Sequence, residues 1–525
     1  MNPNRMRRRE FIRAGVATSL LSLLPRQGIF AERSASTVRP NVLFLFSDQH
    51  NAGMTGYAGH PNMHTPAFNR LAAGGMRFDR AYCQDGVCCP SRTSIMTGQY
   101  PRTIGQYDNE LVQESILSRL TPMSRAFHQA GYYTFTTGKR HVLVTVDTDW
   151  DYTAGSQNLP TEMNRDTLHY WNWIKQKGLY PQLKADFAAE FGGPTGAAPL
   201  ACKISVLPPE ATSEAFAAQQ TIQFLRSPQA KKQPFFAWST FYRPHQPYTP
   251  QKKYADQIDY ASIKLPASIN QKAEELPPGL CAFRKQTRRP WNLGEADEAA
   301  YRRYIGYYIA LVHEIDDHIH SILDVLEQEG LAENTIIVYS SDHGDFVGNH
   351  GMVEKGAAWH NFYEDTLRVP FIVNWPGRIR PGVVRNDLVE LIDIYPTLLS
   401  LCGIEKPKGY QLAGRNLADT LRHETAVGRK YAVSENWSQT CIITDQFKYG
   451  KWLNCLKPKA DYRSWGNMLM DRASDPHEII NLINDPAHAS TVKEMEATLA
   501  EWVEKTDDDG RRQIFAMHKM PYTKV

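Results

Sequence analysis

Cysteine is scarce in this 525-residue chain: eight residues, with no C-x-x-C pair among them. A disulfide-stapled scaffold is therefore excluded, a chain of this length needs none, and no cysteine-type zinc site is indicated. Charge of one sign is lacking too. Lys plus Arg number 59 and Asp plus Glu 56, so the chain has no character of a general polyanion binder and no nucleic-acid partner is expected. After the first 31 residues no run of 18 apolar residues occurs, which leaves nothing to insert stably in a bilayer. Internal repeats and coiled-coil heptads are absent as well.

Residues 1–31 read as an export leader rather than as fold. A basic start (Arg5, Arg7, Arg8, Arg9) runs into an apolar stretch from Ala14 to Leu24, then into small residues near Ala31 and Ala35. Arg8-Arg9-Glu10-Phe11-Ile12 resembles the twin-arginine export motif. Without residues 1–31 the chain holds 53 basic and 55 acidic side chains, so the mature protein is close to neutral. Export by this route implies that folding and any modification or metal loading precede membrane passage. The Tat machinery is then a partner, and the expected destination is the periplasm or beyond.

The remainder alternates two textures. Asn41 to Ser47 is an apolar run ending in Asp48-Gln49-His50, the pattern of a buried central strand that opens onto a site. Tyr132–Thr136, Phe235–Thr240, Ile336–Ser341 and Val369–Val373 also read as strands. Helical patterns cover Ala67–Gly74, Ser91–Thr97, Met123–Ala130, 213–229, Ala299–Gly330 and Val389–Leu399. This alternation predicts an α/β fold. After about residue 405, short segments at Ala432–Glu435, Thr440–Thr444 and Lys448–Leu453 predict a smaller antiparallel sheet, followed by a helix over Ala489–Thr506. The expected organisation is leader and linker over 1–35, a catalytic domain over 36–404 and a C-terminal subdomain over 405–525. Two long irregular stretches, 142–210 and 245–297, are read as pocket walls. Their aromatics (Trp150 and Tyr152, then Tyr170, Trp171 and Trp173) fit either platforms for sugar rings or core.

Chemistry concentrates in Cys88-Cys89-Pro90-Ser91-Arg92-Thr93-Ser94-Ile95-Met96-Thr97-Gly98. Cys88 sits at the mouth of a predicted helix, where unpaired N–H groups and the positive end of the dipole suit an anion or an activated nucleophile. By spacing alone it reads as readily as an inert buried thiol. Yet C-x-P-S-R, four residues and Thr-Gly resembles the signature of the type I, formylglycine-dependent sulfatases of the alkaline phosphatase superfamily. The resemblance extends from Pro40 to about Leu482, with its landmarks in order. They are Asp48-Gln49, Gly138-Lys139-Arg140-His141, Pro244-His245-Gln246-Pro247-Tyr248, Ser341-Asp342-His343-Gly344-Asp345, Lys355, and Asp471 with Asp475-Pro476-His477-Glu478 to Asn481-Leu482. Gln49 stands where a second acidic residue is usual, Arg140 where tryptophan is, His343 where asparagine is frequent, and Met470 where tyrosine is usual. In the first of these departures the chain looks like the choline sulfatase and phosphonate monoester hydrolase branches.

The resemblance implies a large mixed central sheet flanked by helices and a catalytic set of Cys88, Arg92, Lys139, His141, His245 and Lys355. It also implies that Cys88 is oxidised to formylglycine by a formylglycine-generating or anaerobic sulfatase-maturing enzyme. Arg92 would stabilise the nucleophile, His141 assist it, and Lys139 contact the sulfate, with His245 or Lys355 covering the leaving oxygen. Asp48, Gln49, Asp342 and His343 fall at the ends of predicted strands and would hold one divalent cation. Their oxygens put calcium first; a His343 nitrogen ligand keeps manganese open, and the alternative is that His343 lies beside the metal without binding it. Ile104 to Asn109 resembles the choline sulfatase stretch, which makes Asp108 and Asn109 candidate substrate contacts. The implied function is hydrolysis of a sulfate monoester on a small molecule or a saccharide, with a sulfated carbohydrate favoured. Choline sulfate, or a phosphonate or phosphate monoester at the same site, is the alternative, and a non-catalytic binding protein is the bland one. Oligomeric state is left open.

Overall fold

The computed structural model describes residues 39–517 and 519, apart from 110–113, 143–146, 157–167, 189–201, 278–279, 282–283, 285–297, 357–360, 438 and 453–466. The leader, residues 1–35, lies outside the described residues. Residues 40–525 cluster as one compact unit.

Eight strands make the main sheet: β1 (Asn41–Asp48), β2 (Met76–Phe78), β4 (Tyr133–Lys139), β5 (Tyr152–Ser156), β6 (Phe235–Pro244), β7 (Thr335–Ser341), β9 (Phe371–Asn374) and β10 (Val383–Arg385). Their order is β10-β2-β9-β7-β1-β6-β4-β5. β7, β1, β6, β4 and β5 run parallel, and β9 pairs antiparallel with both β7 and β2, so the sheet is mixed, as expected. A three-stranded sheet joins β3 (Ala81–Tyr82), β8 (Arg368–Val369) and β11 (Val389–Glu390). An antiparallel sheet of β12 (Ala432–Glu435), β13 (Gln439–Ile443), β14 (Phe447–Trp452) and β15 (Met468–Asp471) is the small second sheet predicted from the sequence.

Alternation along β1 explains the layering. Val42, Phe44 and Phe46 enter one apolar cluster and Leu43 and Leu45 another, one on each face, so a central strand reads as a continuous apolar run. The long helix Glu298–Gln328 and the helix Ser213–Arg226 cover the face of Leu43 and Leu45. On the small sheet, Val433, Ile442, Tyr449 and Leu469 bury against Met495, Leu499, Trp502 and Val503 of the helix Ala489–Lys505.

Two local expectations are corrected. Val389–Leu399 is not one helix: Val389 and Glu390 pair with β3, a tight turn follows, and the helix begins at Ile394. Glu390 N–H donates to Asp393 Oδ2 at 2.9 Å, a reciprocal cap that places the helix start late. Val369–Val373 is not one strand either, because Pro370, which has no N–H for a ladder, separates β8 from β9. Of the aromatic candidates, Trp150 stacks on Trp238 and Phe236, while Tyr170 and Trp171 lie in a buried cluster with Ile174 and Leu183. They are core.

Candidate active site

The parallel strands bring their carboxyl ends to one edge, where open α/β sheets carry their sites. Asp48 ends β1, Asp342 and His343 follow β7, Lys139 ends β4, and His245 follows β6. All are buried. Gly138 makes the turn into this edge possible: its φ is +77°, and a Cβ would fall 1.7 Å from the Thr240 carbonyl oxygen.

The residues of the Cys88 motif have separate tasks. Cys88 opens the helix Cys88–Thr97 after the N-cap Val87, whose side chain cannot cap. Caps come from elsewhere: Asp85 Oδ1 accepts from Val87 N–H at 2.8 Å and Asn109 Oδ1 from Cys89 N–H at 3.2 Å. Pro90 removes one of the donors that a helix start leaves unpaired. Ser91 Oγ donates to the Asp342 carbonyl at 2.6 Å. The fully buried Arg92 meets Asp342 Oδ2 at 2.7 Å and Asp48 Oδ2 at 3.0 Å, and caps the Lys139 carbonyl at 2.5 Å. Gly98 closes the helix in the left-handed region with φ +64°.

Charge is dense here. Lys139 Nζ pairs with Asp48 Oδ2, and Lys355 Nζ lies 3.1 Å from His245 Nε2 and 3.0 Å from both Gln49 Oε1 and Glu354 Oε1. Burial works against the Asp48 anion, but Lys139, His245 and Arg92 hold its carboxyl well below the usual range. Burial, then Lys139 and Arg92, push His141 well below the ordinary imidazole value, and its Nδ1 has no hydrogen-bond partner among the described residues. Burial and Lys355 likewise push His245 down. Both histidines are therefore neutral and available to accept a proton. On Lys355 the effect of burial is outweighed by Cys88, Glu354 and Asp48, which keep it an ammonium.

The donor set fits a cation. One ligand atom each of Asp48, Cys88, Asp342 and His343 lies within 4.8 Å of the others. Cys88 Sγ is 3.2 Å from His343 Nε2 and 3.7 Å from Asp48 Oδ1. Asp48 Oδ1 also faces His343 Nε2 at 3.8 Å and His245 Nε2 at 4.0 Å, while its other oxygen is taken by Arg92 and Lys139. Burial would depress His343, yet Asp342 and then Cys88 raise it to about 9, which marks an environment that favours positive charge. Gln49 is oriented differently: its carbonyl accepts from Lys355, and its amide donates to Asp345 Oδ2 at 2.7 Å.

Asp108 and Asn109 lie beside the same helix start. Asp108 Oδ2 accepts from Trp437 Nε1 at 3.0 Å, and Asn109 is occupied with the Cys89 cap. Several participants gave no sequence signal of their own. Tyr304 is one: its hydroxyl holds Asp345, at 2.5 Å, beside Tyr248 at 3.0 Å. Tyr242 and Arg243, immediately before Pro244-His245, support the His245 segment. Their adjacency to that segment was the available clue.

A thiol at a helix mouth is thus ringed by strand-end carboxylates, cations and buried histidines at the carboxyl edge of an α/β sheet. A sulfatase family model matches residues 40–404, and the chain belongs to the sulfatase family. A second model, described as the C-terminal part of N-sulphoglucosamine sulphohydrolase, matches residues 348–505. Among relatives, a sulfatase of Formosa agariphila is 30% identical over 88% of this chain and 86% of its own length. An ulvan-active sulfatase of the same organism is 26% identical over 94% of this chain and 86% of its own length. A choline-sulfatase of Rhizobium meliloti is 25% identical over 86% of this chain and 84% of its own. Among solved structures, a phosphonate monoester hydrolase from Silicibacter pomeroyi superposes with a TM-score of 0.73 at 22% identity, covering 90% of this chain and 96% of that one. BT4656, in complex with its substrate D-glucosamine-2-N,6-O-disulfate, gives 0.67 at 22% identity over 90% and 99%. These structural likenesses establish the shared fold. Among the described residues no helix is long and apolar enough to cross a membrane.

Proposed function

We propose that the protein hydrolyses a sulfate monoester on a sulfated carbohydrate, using formylglycine made from Cys88 and one divalent cation, calcium before manganese. The observation that carries this reading is the position of Cys88 Sγ, 3.2 Å from His343 and 3.7 Å from Asp48 at the positive end of a helix, with Arg92 and Lys139 behind Asp48. Formylglycine would supply a hydrated aldehyde, one hydroxyl for attack at sulfur and a second for release of sulfate, which an ordinary cysteine lacks. Asp48, Asp342 and His343, with Gln49 at the rim, would hold the cation, which would supply charge neutralisation of the sulfate oxygens.

The chain's own groups do the rest. Arg92 fixes Asp48 and Asp342, and Lys139 offers a cation to the sulfate oxygens. Neutral His141 has an unpartnered ring nitrogen that can take the proton of the nucleophile. Lys355 and His245 face the leaving oxygen. Asp108 and Asn109 border the substrate side. The carbohydrate is favoured by a relative named for ulvan activity and by the glucosamine disulfate complex of a structural neighbour. A twin-arginine leader would place the enzyme in the periplasm or outside the cell, after maturation by a formylglycine-forming enzyme.

A second reading, hydrolysis of a phosphonate or phosphate monoester, is favoured by the pairs Asp48-Gln49 and Asp342-His343. The deciding experiment measures inorganic sulfate released from sulfated mono- and oligosaccharides and from choline sulfate. The mature protein comes from a host that makes formylglycine, with conversion of Cys88 checked by peptide mass. Release from one saccharide is the expected result. Turnover of choline sulfate alone would overturn the carbohydrate assignment, and silence on all esters with Cys88 converted would move the phosphonate reading to first place.

A further inference from the structure

His245 stands on a segment that is locked from within. Arg243, buried, donates through Nη1 to the His245 carbonyl at 3.0 Å and to the Pro247 carbonyl, and through Nη2 to Thr249 Oγ1 at 2.7 Å. Beneath it, Glu214 Oε1 accepts from the backbone N–H groups of Tyr242 and Arg243, each at 3.2 Å. One guanidinium and one carboxylate thus tie the end of β6 to the turn that carries the histidine.

Tyr242 adds direction. Its hydroxyl lies 2.5 Å from the Gln246 carbonyl oxygen and 2.8 Å from His245 Nδ1, and Nδ1 is itself 2.8 Å from that same carbonyl. A carbonyl oxygen only accepts. If Nδ1 carried a lone pair, that pair would point at the carbonyl lone pairs at 2.8 Å, which is repulsive. The arrangement is consistent only with the proton on Nδ1, directed at the Gln246 carbonyl and the Tyr242 oxygen while the hydroxyl donates to the carbonyl. The opposite nitrogen, Nε2, then presents a lone pair to Lys355 Nζ at 3.1 Å. The Tyr242 ring lies 4.9 Å from the His245 ring, and Lys139 Nζ sits 5.2 Å from its centroid, so one side chain touches two basic groups of the site.

We infer that Tyr242 is a positioning residue that holds His245 as the Nδ1–H tautomer, with Arg243 and Glu214 fixing the backbone that carries both. The proton that reaches the leaving oxygen therefore originates on Lys355. Lys355 Nζ–H is broken, the proton passes directly or through His245 Nε2 to the departing alkoxide to form the alcohol, and the lysine amine regains a proton from solvent water. The inference rests on the proposed reading for the leaving-group step, but the tautomer does not.

Two measurements separate them. In histidine-labelled protein with unmodified Cys88, the imidazole ¹⁵N resonances of His245, assigned by their loss in His245→Gln, are expected to show the Nδ1–H form. An Nε2–H form would overturn the inference whether or not the protein is a sulfatase. With Cys88 converted, Tyr242→Phe keeps the ring and removes only the hydroxyl. On aryl and alkyl sulfates of graded leaving-group acidity, kcat/KM is expected to fall about 10-fold for the poorest leaving groups and under about 2-fold for the best. An equal loss across the series would make the role merely structural, and so would no loss. Absence of wild-type turnover on these esters and on the saccharide panel alike would sink the proposed function, with the ¹⁵N result still standing or falling alone.

Discussion

Two of the buried charge clusters in this molecule are built to different ends. At the foot of the small sheet, Lys448 Nζ lies 3.0 Å from Glu364 and 2.5 Å from Glu478, while Arg472 meets the other Glu364 oxygen at 2.9 Å. Lys448 and Arg472 each end on a carboxylate of another segment, and the cluster clamps β14 to the main body. At the strand ends, by contrast, Asp48 is shared by Arg92, Lys139 and His245, its second oxygen faces Cys88 Sγ at 3.7 Å, and among the described residues His141 Nδ1 has no partner. The cations of the first cluster are matched by carboxylates, and the second keeps incompletely paired groups beside the Cys88 thiol. Density of charge does not separate these two clusters; completeness of pairing does.

That contrast can be broken by mutation. Cys88→Ala should lower sulfate release by at least about 10⁴-fold with an unchanged melting temperature, because it removes a reacting group and no clamp; substantial residual turnover would end the formylglycine assignment. Lys448→Met should do the reverse. It strands Glu364 and Glu478 without their shared cation and should cost about 3–5 kcal/mol in denaturant unfolding, with turnover per folded molecule retained. Gly138→Ala tests the seam between the two behaviours. The clash with Thr240 at a left-handed φ should cost roughly 2–4 kcal/mol, and turnover should fall as Lys139 shifts.

A further expected effect is in pH. Burial, reinforced by Glu478, pushes Asp365 up to about 8. Its folded value exceeds the unfolded one of about 3.9, so its contribution is complete below about pH 4 and lost as pH rises through 8. In denaturant unfolding, Asp365→Asn should therefore gain stability relative to the wild type as pH rises from about 4 to about 8 and level off above that. A wild type that gains stability over that range relative to the variant would reverse the sign. Glu364 runs the other way: Lys448 and Arg472 outweigh burial and depress it, so its contribution is present above about pH 4.3 and lost on acidification.

Much of the site was legible from residue order because the chemistry is written where strands end. Asp48 after an apolar run, Asp342 after another and Cys88 ahead of Pro90 are local patterns, and a strand buried on both faces has little freedom to read otherwise. The limits of β11 and the break at Pro370 were missed for a local reason too: capping and a missing N–H act over one or two residues, below the resolution of hydrophobic periodicity. Trp150, Tyr170 and Trp171 could not be assigned from sequence, since an aromatic that stacks on sugar and one that stacks on Trp238 have the same composition.

The order of residues along the chain was enough to establish an α/β sheet, a helix opening at Cys88 and the identity of the strand-end carboxylates, because each depends on neighbours within a few positions. Which groups meet was decided only by the folded chain. Asn109 caps Cys89, Glu214 anchors Tyr242 and Arg243, Gln49 turns to Lys355, and Tyr242 orients His245. Apart from the last, these contacts join residues far apart in sequence. Their partners are selected by packing and by the cost of burying an unpaired polar group, which no local pattern records.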